Sequence, residues 1–451
     1  HFPFWHKEIE DILVLKNNRG TEDNRVRKMD YSIQFCRLFY RRFVADENIT
    51  LFSPHEVEDL YEVFGYDNDK FEELYEQYER SRSVFKRQIK ARDLFNSFCQ
   101  ERIGTGRMYV MNLDHCNDHS SFTDKIKMSN LCQEITLPTT PLKHIDDNCN
   151  TDAEIALCVL SAINIGVVKL DELRDTCRNI VRSLDAVIEH QSYPVGASQK
   201  MLKRRSIGVG ITNLAYYLAK NGVTYDDPEA CNLVDELMEH IQFYMIKASV
   251  ELAKEKGACE WFDRTKYSKG ILPIDTYCKE VDKIVTRKLK LPWEKLRKDI
   301  AKHGMRNSTL TALMPCESSS LVTNSTNGVE PPRGLLSVKK SKQGLIPQVV
   351  PEIYSLRNKY TLAYEMENNI GYTNIVAVIQ KYVDQSISAN HYYDFSRYKD
   401  GNLPVSDVAR DILYAYKMGI KTLYYANSND GKTDEHMEEE TSDCESGACA
   451  I

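Results

Sequence analysis

Residues 129–139 read SNLCQEITLPT. Asn130, Cys132 and Glu134 stand at alternate positions, and in an extended backbone a period of two sends an amide, a thiol and a carboxylate to one face. A nucleophilic cysteine wants a histidine or another base beside it, and none is adjacent here. From the alternation alone the stretch is packing material; a chemistry that needs a thiol without a base would make it a site. On both sides of it helical stretches alternate with short strand-like runs, which argues α/β.

Upstream, Arg27–Val44 carries Met29, Ile33, Cys36, Tyr40 and Phe43 at three- and four-residue steps, which predicts an amphipathic helix, and Arg107–Leu113 has strand character. Downstream, helices are predicted over Ala153–Asn164, Leu170–His190, Cys231–Lys256, Asn374–Ser386 and Pro404–Met418. Strands are predicted over Ser206–Ile211, Thr309–Leu313 and Ile420–Tyr425. The Cys231–Lys256 helix has the plainest punctuation, with Pro228 ahead of it and Gly257 behind. No repeat or linker interrupts residues 1–425, which read as one unit, whereas residues 426–451 turn polar and acidic and read as a flexible tail.

That tail explains the charge. The 451 residues sum to −7, and so do residues 430–451 alone, with eight acids against Lys432, so the body is formally neutral. A neutral body lacks the basic excess that polymeric nucleic acid or an anionic membrane demands. No apolar run approaches the roughly 20 residues of a spanning helix, and the amino-terminal stretch is charged where a signal peptide would be apolar, so the cytoplasm is the expected compartment. Thirteen cysteines, several lying singly in apolar helical stretches, are no disulfide framework. The pair Cys444 and Cys449 differs, two thiols on an acidic tail, able to close a small disulfide and carry electrons elsewhere.

Other motifs are ambiguous. Gly208 and Gly210 follow Ser206, but a third glycine and a distal acid are missing, so close packing outranks a dinucleotide loop. His115, Cys116, His119 and Cys132 have the atoms of a metal site without the spacing of one, and no metal is expected. The run TLTALMPCESSS (309–320) takes a strand into Pro315 and then into Cys316, Glu317, Ser318 and Ser319; it is either an anion cradle at a helix start or an ordinary cap. Tyr424-Tyr425 is either packing or a pair of phenols for one-electron oxidation.

SNLCQEITLPTTPL, EIALCVLSAIN, MPCESSS with NSTNGVEPPRG, DQSISAN, KTLYY and the terminal CESGAC together, and in this order, resemble the large catalytic subunit of class I aerobic ribonucleoside-diphosphate reductases. The resemblance covers essentially the whole chain. It implies part of a ten-stranded α/β barrel with a radical-cysteine finger loop, ahead of the mobile tail. It implies that Cys132 becomes a thiyl radical, that Glu134 is the base toward the ribose 3′ hydroxyl, that Asn130 bonds the sugar, and that Cys158 is one of two reducing thiols. Tyr424 and Tyr425 then match the radical-transfer tyrosines, Cys444 and Cys449 the tail redox pair, and Pro315 to Ser319 the substrate phosphate site, with Cys316 where the family usually has serine. A thiol suits the first role because its weak S–H bond exchanges a hydrogen atom with a ribose C–H near balance.

The resemblance further implies no cofactor held by this chain, a metal and radical cofactor in a small subunit, and nucleotide effectors (ATP, deoxynucleoside triphosphates) bound mainly by an amino-terminal portion. The partners implied are a complementary amino-terminal fragment, the small radical-generating subunit, thioredoxin or glutaredoxin, and a ribonucleoside diphosphate substrate. The chain opens at the middle of the family's pattern and without Met, so the expectation is the catalytic portion of a divided reductase that is inactive alone. The alternative is an inactive remnant or scaffold that binds the small subunit.

Overall fold

The computed structural model describes residues 1–17, 19, 21–143, 152–341 and 344–429. Its central layer is a four-stranded sheet in the order Phe2–Pro3, Tyr31–Phe35, Met108–Asn112 and Thr422–Leu423, parallel except for the last pairing. Helix was expected over Arg27–Val44, and the chain instead runs as a strand over Tyr31–Phe35, turns at Cys36, and is helical only over Arg37–Val44. All five strand residues are buried. Burial on both faces erases the alternation that marks a half-exposed strand, so aromatic and β-branched residues at helical steps mimicked a helix.

The same substitution of strand for helix occurs over Ala153–Asn164, where Leu160–Asn164 pairs in parallel with Gly208–Thr212. Parallel bridges extend this pair from Val209 to Thr311 and from Leu313 to Ile387. Glycine is required at two positions here. A Cβ on Gly208 would meet Ala312 Cβ at 2.9 Å, and one on Gly210 would meet the Ala312 carbonyl and Met314 Sδ at 3.0 Å each. Close backbone approach therefore accounts for both glycines. Among the described residues the strands form one four-stranded and four two-stranded sheets and do not close into a barrel.

Leu173–His190 packs against Pro228–Lys256, which starts with proline in its first turn and ends at Gly257 in the left-handed φ region (+85°). The predicted Asn374–Ser386 helix lies over Ile370–Gln380, and its downstream part turns and bends away instead. Side chains hold residues 383–385 off the helix: Gln380 Nε2 donates to the Val383 and Gln385 carbonyls, and Asp384 accepts from the backbone N–H groups of Leu310 and Thr311. Val405–Lys417 forms the last long helix among the described residues. Ala426–Asn429, the first residues of the stretch read as tail, pair in parallel with His391–Asp394. Among the described residues no helix is long and apolar enough to cross a membrane.

Candidate active site

The stretch carrying Cys132 is a turn rather than the extended face expected from its alternation. Gln133 takes φ +70°, its N–H returns to the Asn130 carbonyl at 3.2 Å, and Ile135 N–H donates to Asn130 Oδ1 at 3.1 Å. The turn sets the Asn130 amide against the Glu134 carboxyl and the Cys132 thiol toward Tyr424, and a wall of hydroxyl-rich chain grips its backbone. Three consecutive carbonyls each accept a hydrogen bond: Cys132 from Ser388 Oγ at 2.5 Å, Gln133 from Thr422 Oγ1 at 2.8 Å, and Glu134 from Ser386 N–H at 2.9 Å. Ser386 Oγ and Thr422 Oγ1 lie 2.7 Å apart and join the two strands of that wall.

Around this turn, Asn130 Nδ2 lies 3.8 Å from Cys158 Sγ, and Cys158 is exposed. Glu134 is buried, and burial raises its carboxyl above the ordinary range, with the Asn130 amide and its own N–H drawing it partly back. Tyr424 OH lies 3.8 Å from Cys132 Sγ and donates to Tyr425 OH at 2.6 Å. The two phenol rings are 3.7 Å apart between centroids. Burial pushes both phenols upward, so neither ionises on its own near neutrality.

The tyrosine pair has its own supports. Arg102, fully buried, donates to the carbonyls of Met108 (2.6 Å), Tyr424 (2.9 Å) and Tyr425 (3.3 Å). Tyr424 N–H donates to the Ala389 carbonyl at 2.7 Å, and Tyr425 N–H to Asn390 Oδ1 at 2.9 Å. A redox-capable phenol pair thus runs in contact to a thiol, beside a buried carboxyl, with every element backbone-anchored.

The family model for the ribonucleotide reductase barrel domain matches residues 1–426. This chain belongs to the ribonucleotide reductase family. It is 52% identical to the ribonucleoside-diphosphate reductase subunit alpha of Haemophilus influenzae over 457 aligned residues. Identity is 51% to the ribonucleoside-diphosphate reductase 1 subunit alpha of Escherichia coli K12, and 45% to the subunit alpha of enterobacteria phage T4. In each case the match takes in 100% of this chain and 60% of the relative, so the chain spans about three fifths of their length.

The remaining expected residues lie at two places. After Thr309–Leu313, Cys316 adopts φ +61° and opens the short helix Glu317–Thr323. Ser318 and Ser319 are exposed, whereas the Cys316 thiol turns inward to the Ile211 carbonyl (3.8 Å), and burial pushes it up to about 12. Replacing serine by cysteine there withdraws one side-chain hydroxyl and leaves the backbone N–H groups in place. Cys444 and Cys449 lie outside the described residues. Of the histidines and cysteine upstream, His115 bonds the Ile420 carbonyl, Cys116 that of Lys421, and His119 that of Gln380.

Ser386, Ser388, Thr422, Asn390 and Arg102 were not singled out from sequence. For three of them a signal existed: Ser386, Ser388 and Asn390 fall at alternate positions of DQSISAN, the pattern of a polar face on an extended segment.

Proposed function

We propose that this chain carries the catalytic centre of a ribonucleoside-diphosphate reductase, a thioredoxin- or glutaredoxin-dependent oxidoreductase that makes 2′-deoxyribonucleoside diphosphates for DNA synthesis. The observation that carries the reading is the contact series from Tyr425 OH to Tyr424 OH to Cys132 Sγ, 2.6 and then 3.8 Å. A metal and radical cofactor in the small subunit supplies the oxidising equivalent. Tyr425 and Tyr424 pass it on, each phenol losing its proton with its electron, and Cys132 gives up its hydrogen atom to become the thiyl radical.

Cys132 then takes the ribose 3′ hydrogen while Glu134 accepts the 3′ hydroxyl proton and Asn130 holds the sugar. The 2′ hydroxyl leaves as water. Cys158 and a second cysteine from the rest of the large subunit supply two electrons and two protons and become a disulfide, and Cys132 returns the hydrogen to C3′. Cys444 and Cys449 re-reduce that disulfide and pass the oxidation to thioredoxin or glutaredoxin in the reducing cytoplasm. Pro315, Cys316, Glu317, Ser318 and Ser319 hold the diphosphate, chiefly through the N–H groups opening Glu317–Thr323. Effector nucleotides bind mainly to the rest of the large subunit, and the chain turns over only when completed by it and by the small subunit.

The test is CDP reduction by this chain with a small subunit and dithiothreitol, with and without a polypeptide supplying the remaining part of the relatives' length. Activity in the complete mixture alone, abolished by Cys132→Ala, is the expected result. A stable but inactive complete complex would favour a scaffold that binds the small subunit.

A further inference from the structure

We propose that Ser388 is a positioning residue that couples the carboxyl of Glu134 to the backbone of Cys132 through a single hydroxyl. The role rests on the reading of Glu134 as base and Cys132 as radical site. Ser388 is buried on an extended segment that is zipped to Leu313 on its other side: Ser388 N–H donates to the Leu313 carbonyl at 2.9 Å, and Leu313 N–H to the Ser386 carbonyl at 3.0 Å. Leu313 leads directly into Pro315 to Ser319. One residue therefore stands between the phosphate turn and the Cys132 turn.

The hydroxyl has two oxygen neighbours, the Cys132 carbonyl at 2.5 Å and Glu134 Oε2 at 3.3 Å. It owns one proton and two lone pairs. A carbonyl cannot donate, so the short contact fixes the serine proton on the line to Cys132. The longer contact then depends on Glu134. Ionised, its oxygen faces a serine lone pair and gains little. Protonated, it donates to that lone pair, and a chain forms from Glu134 O–H to Ser388 O–H to the Cys132 carbonyl, each bond polarising the next. No proton changes owner except the one that Glu134 takes up. Arrival of a proton on Glu134 thereby tightens the turn that carries Cys132.

The sign of one titration separates this from the plain donor geometry, in which Ser388 Oγ donates to Glu134 Oε2 at 3.3 Å and lowers its carboxyl. A serine proton aimed at the carboxylate would favour its ionised form, so losing it would raise the Glu134 titration. With the proton committed to Cys132, Ser388 favours protonated Glu134, and losing it lowers the titration. Burial, the Asn130 amide, the Glu134 N–H and Ser388 are the causes of the Glu134 shift, and among the described residues no charged side chain contributes to it.

The experiment is infrared titration of the protonated carboxyl stretch in the full chain, assigned by its loss in Glu134→Gln. Ser388→Ala is expected to lower the midpoint by about half to one pH unit, the scale of one hydrogen bond to a carboxyl, and Ser388→Thr to restore it. A midpoint that rises or stays put in Ser388→Ala, with Ser388→Thr folded and titrating as wild type, overturns the coupling. In the complete reductase mixture Ser388→Ala is expected to lower kcat about tenfold or more with KM little changed. If that mixture reduces no nucleoside diphosphate while the midpoint falls as expected, the proposed function fails and the coupling stands.

Discussion

Lys421→Met tests the wall behind the Cys132 turn. Lys421 is fully buried, its ammonium directed at the carbonyls of Val383 (3.4 Å), Asp384 (3.1 Å) and Gln385. Burial pulls its titration from 10.5 down to about 7, with Cys116 and Asp384 opposing the fall. In the unfolded chain the lysine keeps its proton up to about 10.5. Between pH 7 and 10 the unfolded state thus binds more protons than the folded one, and stability rises with pH. At 1.36 kcal/mol per unit the climb is roughly 3 kcal/mol, and below pH 7 it is flat. Methionine has nothing to titrate. Its local cost is contained, because Gln380 Nε2 still donates to the Val383 and Gln385 carbonyls, leaving the Asp384 carbonyl bare at about 1–3 kcal/mol. Relief from burying a charge offsets that cost near pH 7. The expectation is two chains of similar stability at pH 7 whose urea-unfolding free energies separate by about 3 kcal/mol at pH 10, wild type above. Parallel curves over that range would refute the buried, displaced ammonium.

Tyr424→Phe removes the hydroxyl between Cys132 and Tyr425; CDP reduction in the complete mixture should fall at least about 10³-fold, some 4 kcal/mol of barrier, with substrate affinity in equilibrium binding unchanged. Gly210→Ala forces a methyl against the Ala312 carbonyl and Met314 Sδ at 3.0 Å, and thermal unfolding should show a loss of about 1–3 kcal/mol. Arg102→Met strips the only side-chain donor from the Tyr424 carbonyl among the described residues; chemical unfolding should register about 2 kcal/mol, and the tyrosine pair should lose activity beyond that loss.

Where sequence and structure agree, a local cause was sufficient. The Pro228–Lys256 helix carries its own start and stop, and Met108–Asn112 its own strand composition. Tyr31–Phe35 and Leu160–Asn164 were misread because both are strands whose character comes from neighbours, Phe2–Pro3 with Met108–Asn112 for one and Gly208–Thr212 for the other. The site divides the same way. Cys132, Glu134 and the tyrosines stand out by residue type, and family resemblance gave them roles. Ser388 and Thr422 matter through long-range contacts to carbonyls, and a carbonyl acceptor leaves no mark on the sequence of the segment it belongs to.

The Cys132 turn is clamped by main-chain oxygens, which every amino acid possesses, so its path does not depend on which side chain is mounted at its tip. Position 132 is in effect a socket: serine, alanine or selenocysteine can be seated there with the backbone unmoved, and differences among such variants report on the bond to hydrogen at the side-chain atom rather than on where that atom sits.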